Sequence, residues 1–176
     1  MEGKKILITY ASCTGSTEQV ATDIVKTISD QGLEVDLYPV QEVSSLTEYQ
    51  AILIGSAIQN RQWLPEAMQF LQTHRAALAQ KPVATFTLCM TLAMKNGEKY
   101  RPDIIEWLAP VRRIARPVSE GVFAGVLDIS KTPSFNDRLK FRLSVLFGVW
   151  SEGDHRDWDA IQAWAGELHA KLFGQS

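Results

Sequence analysis

The sequence predicts an α/β protein of the doubly wound, three-layer type, with a five-stranded parallel sheet in the order 2-1-3-4-5. Short β-rich apolar segments alternate with segments of helical periodicity, and the third strand segment, QAILIGS, is apolar on both faces. Right-handed crossovers then leave few strand orders. We expect one domain over residues 1–176, with an extra helical insert after the fifth strand at about residues 130–156.

The elements follow in a regular order. The five strand segments are KKILITY, LEVDLYPV, QAILIGS, KPVATFTLCM and EGVFAGVLDI. Residues 16–31 form a helix with an inward stripe of Val20, Ile24, Val25 and Ile28. Pro65 opens a second helix, residues 102–108 form a shorter one, and Asp157 caps the last. Each of the first three helices can therefore cross between two parallel strands, and the last follows the fifth strand.

Composition excludes several classes of protein. The net charge of −2 disfavours a nucleic-acid binder, and no apolar run approaches the roughly 20 residues of a membrane span. The N-terminus resembles a first strand rather than a signal peptide. Cys13 and Cys89 form no zinc pattern, and the three histidines are scattered, so we expect no metal site. The default expectation is a cytoplasmic protein.

Charge is distributed unevenly along the chain. Residues 99–142 contain nine basic and five acidic side chains, whereas the rest contains nine basic and fifteen acidic ones. This excess is either ordinary surface scatter or a basic face toward an anionic ligand or lipid.

A run of small and hydroxylic residues, ASCTGST, follows the first strand and leads into the first helix. In a doubly wound sheet this is where ligands bind, and a helix N-terminus attracts anions. The loop lacks Lys and Arg, which favours a phosphate monoester held by neutral donors. The motifs of P-loops, dinucleotide folds and cysteine phosphatases are absent. The alternative is a simple Ser/Thr cap on the helix.

The segment SCTGST matches the flavodoxin pattern [ST]-x-T-G-x-T, and the chain resembles flavodoxins over nearly its whole length. More narrowly, it resembles the flavodoxin-like branch that includes menaquinone-dependent protoporphyrinogen oxidase. That resemblance rests on AILIGSAIQNRQWLPEAMQFLQTHRAAL, GVFAGVLDISK and NDRLKFRLSVLFG, while the stretch before the last helix is shorter than in that branch.

The resemblance implies FMN as cofactor. Its phosphate would lie on the loop after the first strand, and its ring between the loops after the third and fourth strands. Trp63 is the first candidate for stacking on the ring, with packing ahead of Pro65 as the alternative, and Tyr100 is the second. The expected cofactor-binding residues are Ser12, Cys13, Thr14, Gly15, Ser16, Thr17, Ser56, Ala57, Ile58, Gln59, Asn60, Trp63, Thr87, Leu88, Cys89, Met90 and Thr91.

By the same resemblance, the flavin would oxidise an organic substrate such as protoporphyrinogen IX, with basic residues of 99–142 facing its propionates and a quinone accepting the electrons. Two other functions are considered: a flavodoxin-type electron carrier that has no substrate of its own and serves a redox protein, and a flavin-binding or regulatory domain without turnover. No catalytic acid or base stands out in the sequence.

The insert at residues 135–150 is expected to carry two apolar faces. On a helical wheel Leu139, Leu143, Leu146, Phe147 and Trp150 form one stripe, which we expect to dock on the domain. Phe141 and Val145 lie on another side near Arg138 and Arg142. This second face suits a porphyrin, a quinone, a redox partner or peripheral contact with the inner membrane, or else burial in the core or in a homodimer.

Overall fold

The computed structural model describes residues 4–131 and 134–174. Its strands are β1 (Lys5–Ala11), β2 (Glu34–Pro39), β3 (Ala51–Gln59), β4 (Gln62–Trp63), β5 (Val83–Leu88), β6 (Ser119–Phe123), β7 (Val126–Leu127) and β8 (Gly153–Asp154). Its helices are α1 (Ser16–Ser29), α2 (Pro65–Thr73), α3 (Arg75–Leu78), α4 (Arg101–Trp107), α5 (Ala109–Ala115), α6 (Phe135–Leu146), α7 (Trp158–Gly166) and α8 (Leu168–Phe173). Short 3-10 turns occupy Val40–Glu42, Met90–Ala93, Gly97–Tyr100 and Ile129–Lys131.

Five parallel strands form the central sheet in the order β2-β1-β3-β5-β6. Counted among the parallel strands alone, this is the predicted order 2-1-3-4-5, so the predicted fold class is confirmed. The sequence could specify it because β3 and β5 are almost wholly buried apolar strands, which only a sheet covered on both faces accommodates.

Two hydrophobic layers cover the sheet. Helices α2 and α5 pack on one face through side chains such as Leu71 and Val111. On the other face, α1 and the last two helices pack through residues such as Ile24, Ile161 and Leu168. The two layers fix the ends of the strands, and therefore the loops that leave their carboxyl edge.

The fifth predicted strand, EGVFAGVLDI, is divided in the structure. Its first half is β6, which pairs with β5, and its second half is β7, which leaves the sheet. β7 pairs with β8 in an antiparallel ribbon, with Val126 opposite Asp154. The expectation of one continuous strand was wrong because the returning chain at β8 offers β7 a different partner. The ribbon carries the α6 insert between its two strands.

Candidate functional site

The carboxyl edge of the sheet brings three loops together. Ala11, the last residue of β1, lies opposite Ser56 of β3, and Ala57 lies opposite Leu88, the last residue of β5. The loops after β1, β3 and β5 therefore leave the sheet side by side. A doubly wound sheet places its ligand at this switch point.

The loop between β1 and α1 is shaped by Gly15. This residue has φ +87°, a left-handed conformation that other residues adopt only with strain, and it is the N-cap of α1. The Gly15 N–H donates to Ser12 Oγ at 3.0 Å, which closes the turn. Because Gly15 provides no side-chain cap, the first amides of α1 remain available to an anion.

Thr17 carries the clearest sign that a ligand belongs in this loop. The residue is fully buried, and its Oγ1 is one of two buried side-chain oxygens among the described residues that have no hydrogen-bond partner; the other is Thr9 Oγ1. A buried hydroxyl without a partner is costly. A phosphate oxygen at the start of α1 would accept this hydrogen bond, so the loop fits the phosphate group of FMN.

Cys13 lies in the same loop and is exposed. The thiol group itself is partly buried. This partial burial, with a smaller contribution from the nearby Glu66 carboxylate, raises the Cys13 pKa above its ordinary value. The position at a helix N-terminus would by itself favour a thiolate. The raised pKa instead fits a protonated residue that forms part of the loop wall.

A cavity of about 1140 Å³ opens beside the loops after β3 and β5. Its wall is completed by one face of α4 and by the inner side of α6. The lining residues are Ile58, Gln59, Asn60, Arg61, Cys89, Met90, Thr91, Met94, Tyr100, Asp103, Glu106, Trp107, Ser134, Asp137, Lys140, Phe141, Ser144 and Trp150. The cavity is large enough for a flat organic ring system.

Six of the residues expected around the flavin ring line this cavity. They are Ile58, Gln59, Asn60, Cys89, Met90 and Thr91. Four others from the same loops, Ser56, Ala57, Thr87 and Leu88, do not line it. The Ser56 hydroxyl is used inside the protein, since it donates to the Ala57 carbonyl oxygen at 2.9 Å and accepts from the Leu64 amide at 3.1 Å. The strand ends therefore support the cavity from below, and the loops beyond them form its wall.

The structure corrects the stacking role suggested for Trp63. Its side chain is 1% exposed, and its indole N–H donates to Thr87 Oγ1 at 2.9 Å. Trp63 is buried because β3 continues into a hairpin with β4, which places Ile58 opposite Trp63. The packing alternative is therefore correct for Trp63. Tyr100, the second candidate, is the one of the two that lines the cavity.

Sequence reasoning missed most of the far wall. One face of α4 contributes Asp103, Glu106 and Trp107, which follow helical spacing. The sequence does not indicate that this face of the helix is directed toward the cavity. Arg61, at the tip of the hairpin, lies over the Trp107 ring at 5.9 Å and connects the β3–β4 hairpin with α4. Four aromatic side chains, Tyr100, Trp107, Phe141 and Trp150, surround the space.

The helix α6 is oriented differently from the expectation. Leu139, Leu143, Leu146 and Phe147 were expected to dock on the domain together with Trp150, but all four are exposed. Phe141 and Trp150 instead meet edge to face at 6.1 Å and line the cavity. The helical-wheel prediction was wrong for Trp150 because α6 ends at Leu146, so Trp150 does not continue the periodicity of the helix. Hydrogen bonds from Val149 to Ser144 and from Gly148 to Val145 then turn the chain back.

The cavity is not strongly basic. Its titratable lining consists of the acids Asp103, Glu106 and Asp137 and the bases Arg61 and Lys140. The other basic residues of 99–142 lie elsewhere: Arg112, for example, binds Glu120 through its Nη2 at 2.6 Å, at the far end of the sheet. The expectation that this segment would present a basic surface to a carboxylated substrate is therefore not met by the cavity wall.

Arg156 reaches the start of α1 from the end of the insert. Its side chain is only 7% exposed and pairs with Asp154 at 2.6 Å. Its Nη1 donates to Gln19 Oε1 at 2.7 Å and to the Ser16 carbonyl oxygen at 3.3 Å, while the guanidinium stacks on Trp158 at 4.4 Å. No residue within the loop itself supplies a cation, so Arg156 is the basic group that holds the first turn of α1.

Replacing Arg156 by glutamine is expected to lower the free energy of unfolding by about 1–3 kcal/mol, since charge-assisted hydrogen bonds from a buried guanidinium are lost. The hydrogen bonds from Arg156 outweigh burial and hold the Asp154 pKa below its usual value. This stabilisation is present above the ordinary aspartate pKa and disappears as the pH falls through the lowered pKa in the folded state.

Urea unfolding at neutral pH and near pH 3 measures this effect. The difference between wild type and Arg156→Gln should shrink in acid, and Arg113→Gln, an exposed change on α5, serves as control. An equal difference at both pH values would show that the Asp154 carboxylate is not involved.

A doubly wound sheet, with uncapped helix amides at its switch point and an aromatic cavity beside them, is the architecture of mononucleotide-binding α/β proteins. A family model described as "Flavodoxin domain" matches residues 7–155. The chain therefore belongs to the flavodoxin domain family, and FMN is the cofactor of that family.

Individual relatives agree with this assignment. A protein of Bacillus subtilis described as "Probable flavodoxin 1" is 41% identical over 54 residues, which is 30% of this chain and 34% of the relative. The matched region thus spans about a third of that curated relative. Two solved structures share the fold. A Streptococcus pneumoniae flavodoxin has a TM-score of 0.57 and 18% identity, with coverage of 96% of this chain and 99% of that one. Rubredoxin oxygen:oxidoreductase of Desulfovibrio gigas has a TM-score of 0.52 and 20% identity, with coverage of 97% and 37%.

Two further observations delimit the site. No group of His, Cys, Asp or Glu side chains within residues 4–131 and 134–174 is arranged to hold a metal ion. In the same ranges, no helix combines the length and the apolar character needed to cross a membrane.

Proposed function

We propose that this chain is an FMN-binding electron-transfer protein that exchanges electrons with a redox partner protein. The observation that carries the proposal is the buried, unpartnered Thr17 hydroxyl beside the uncapped start of α1. Membership of the flavodoxin domain family supports it. Bound FMN would supply reversible electron transfer through its isoalloxazine ring.

The residues of the loop after β1 would hold the phosphate. The hydroxyls of Thr14, Ser16 and Thr17 and the first amides of α1 are neutral donors, and the positive end of the helix adds a favourable potential for an anion. Neutral donors suit a phosphate monoester because no metal ion is needed to compensate further charge. Arg156 fixes the first turn from behind and keeps these donors aligned.

The ring would lie in the part of the cavity formed by the hairpin after β3 and the turn after β5. Ile58 and Met90 provide apolar contacts, and Gln59, Asn60 and Thr91 offer polar groups to its edge. Asn60 and Arg61 both have positive φ, so the hairpin turns in two residues and pairs Gln59 with Gln62 and Ile58 with Trp63. Tyr100 is the aromatic residue placed to cover the ring.

The test is reconstitution of cofactor-free protein with FMN and with riboflavin, followed by quenching of flavin fluorescence. We expect one FMN per chain and much weaker binding of riboflavin, which lacks the phosphate. Reduced holo-protein should then pass electrons to an added protein acceptor such as cytochrome c. Equal affinity for the two flavins would contradict the phosphate site, and absence of binding would contradict the proposed function as a whole.

The cavity favours a second candidate, the FMN-dependent oxidation of an organic substrate such as protoporphyrinogen IX with a quinone as acceptor. The cavity extends beyond the loops that would hold the flavin ring. Trp107, Phe141 and Trp150 line this extension. The mixed charge of the wall opposes a substrate with several carboxylates. An anaerobic assay with protoporphyrinogen and menadione distinguishes the two candidates, because a carrier gives no porphyrin product.

A further inference from the structure

The largest concentration of exposed apolar side chains lies on the helix that walls the cavity. Nine large hydrophobic residues in the described part of the chain are exposed, and six of them belong to residues 135–149. Phe135, Leu146 and Phe147 are 77%, 77% and 76% exposed. With Leu139 and Leu143 they form what we call the outer face of α6. No residue of α6 is buried, so this face is not part of the core.

The charges of α6 are arranged around this face. At 3.6 residues per turn, Phe135, Leu139, Leu143 and Leu146 fall within an arc of about 80°. Arg142 borders the arc on one side and is exposed, whereas Lys140 lies on the cavity side with its Nζ 3.7 Å from Asp137 Oδ1. Asp137, the acid of this helix, lies on the opposite side and lines the cavity. A cation, Arg142, therefore borders the apolar stripe, while the negative charge of Asp137 is on the opposite side.

This arrangement indicates which kind of partner fits. Two copies of this chain joined through the outer face by a two-fold axis would bring both Arg142 side chains to one interface, and the outer face itself has no acidic residue to pair with them. A bilayer with anionic headgroups instead accepts the apolar side chains below the headgroups and the arginine side chain at the phosphate level. The charges thus complement an anionic lipid surface and oppose a second copy.

We propose that the outer face of α6 docks on the surface of an anionic lipid bilayer, with the helix lying in the plane of the interface. Phe135, Leu146 and Phe147 enter the acyl boundary, and Arg142 contacts lipid phosphates. The inner side of α6 still lines the cavity, so docking places α6 between the cavity and the bilayer. This proposal stands independently of electron transfer and requires no flavin step.

The test is co-sedimentation of the holo-protein with vesicles of phosphatidylcholine alone and of phosphatidylcholine mixed with phosphatidylglycerol. We expect binding to the mixed vesicles that weakens as salt is added. The double variant Leu146→Ser with Phe147→Ser should bind about tenfold or more weakly, because two large apolar side chains no longer enter the lipid. Arg142→Gln should weaken binding to the mixed vesicles by about fivefold.

The matched control is Val118→Ser, which removes an exposed apolar side chain from another part of the surface. Helical circular dichroism and FMN affinity should be unchanged in all variants, which shows that they fold. Three results would overturn the proposal: no vesicle binding by wild type, equal binding by wild type and the double variant, or a wild-type dimer in light scattering that the double variant dissociates. None of these depends on electron-transfer activity, so a failure here is distinct from a failure of the proposed function.

Discussion

Replacing Thr17 by valine should weaken FMN binding and, at the same time, stabilise the cofactor-free protein. Valine keeps the branched shape of threonine and the same helix propensity class, so the packing at the start of α1 is preserved. Only the hydroxyl is lost. In wild type this hydroxyl is fully buried and has no partner within the described residues.

The two effects have opposite signs because the hydroxyl has two different surroundings. Without cofactor it is a buried polar group that has lost its water, and removing it should raise the free energy of unfolding by about 1 kcal/mol. In the proposed phosphate site it would donate to a charged phosphate, a bond of about 1.5–3 kcal/mol, so the FMN dissociation constant should rise about tenfold to a hundredfold. Riboflavin binding should not change.

The control is Thr27→Val in the same helix. The Thr27 hydroxyl donates to the Asp23 carbonyl oxygen at 3.1 Å and is remote from the loop, so neither flavin affinity nor its selectivity should respond. Denaturant titration of the cofactor-free protein and fluorescence titration with both flavins provide the readouts. If Thr17→Val binds FMN as wild type does, the hydroxyl is not part of the phosphate site.

The largest loss of stability is expected from Gly55→Ala at the centre of the sheet. Gly55 lies between Tyr10 of β1 and Phe86 of β5, and the Phe86 ring covers the space that a side chain would need. A methyl group at residue 55 would lie 1.9 Å from the Phe86 Cζ atom, and Phe86 is fully buried, so neither residue can move aside freely. Overpacking of this kind costs about 1–3 kcal/mol, and the rigid surroundings favour the upper end.

A double-mutant cycle checks the cause. Phe86→Leu alone should destabilise the protein, because it removes part of a buried ring. Combined with Gly55→Ala it should cost less than the sum of the two single changes, since the smaller side chain leaves room for the methyl group. Strict additivity would show that the contact between residues 55 and 86 is not the source of the loss.

The sheet order and the β1–α1 loop could be predicted because their signals are local. An apolar strand buried on both faces, followed by a helix with one apolar stripe, leaves few arrangements, and the SCTGST segment lies where the first strand meets its helix. Strand β5 shows the same logic, since all six of its residues are buried.

The remaining parts of the site depend on contacts between distant residues. Trp63 is removed from the cavity by the pairing of β4 with β3, and Trp150 reaches Phe141 only because the chain reverses after Leu146. Arg156 contacts Ser16 across 140 positions of sequence. A pattern within one segment carries no information about such partners, so the phosphate loop could be predicted from the sequence and the far wall of the cavity could not.

The β7–β8 ribbon makes the length of the insert independent of the rest of the fold. Val126 and Asp154 are direct neighbours, so the chain leaves the domain and returns to it at a single place. A longer or shorter segment between them would change the closure entropy only slowly with its length. The segment that roofs the cavity can therefore change in length or sequence without disturbing the parallel strands, so the surface it presents to other molecules can be exchanged as a single peptide.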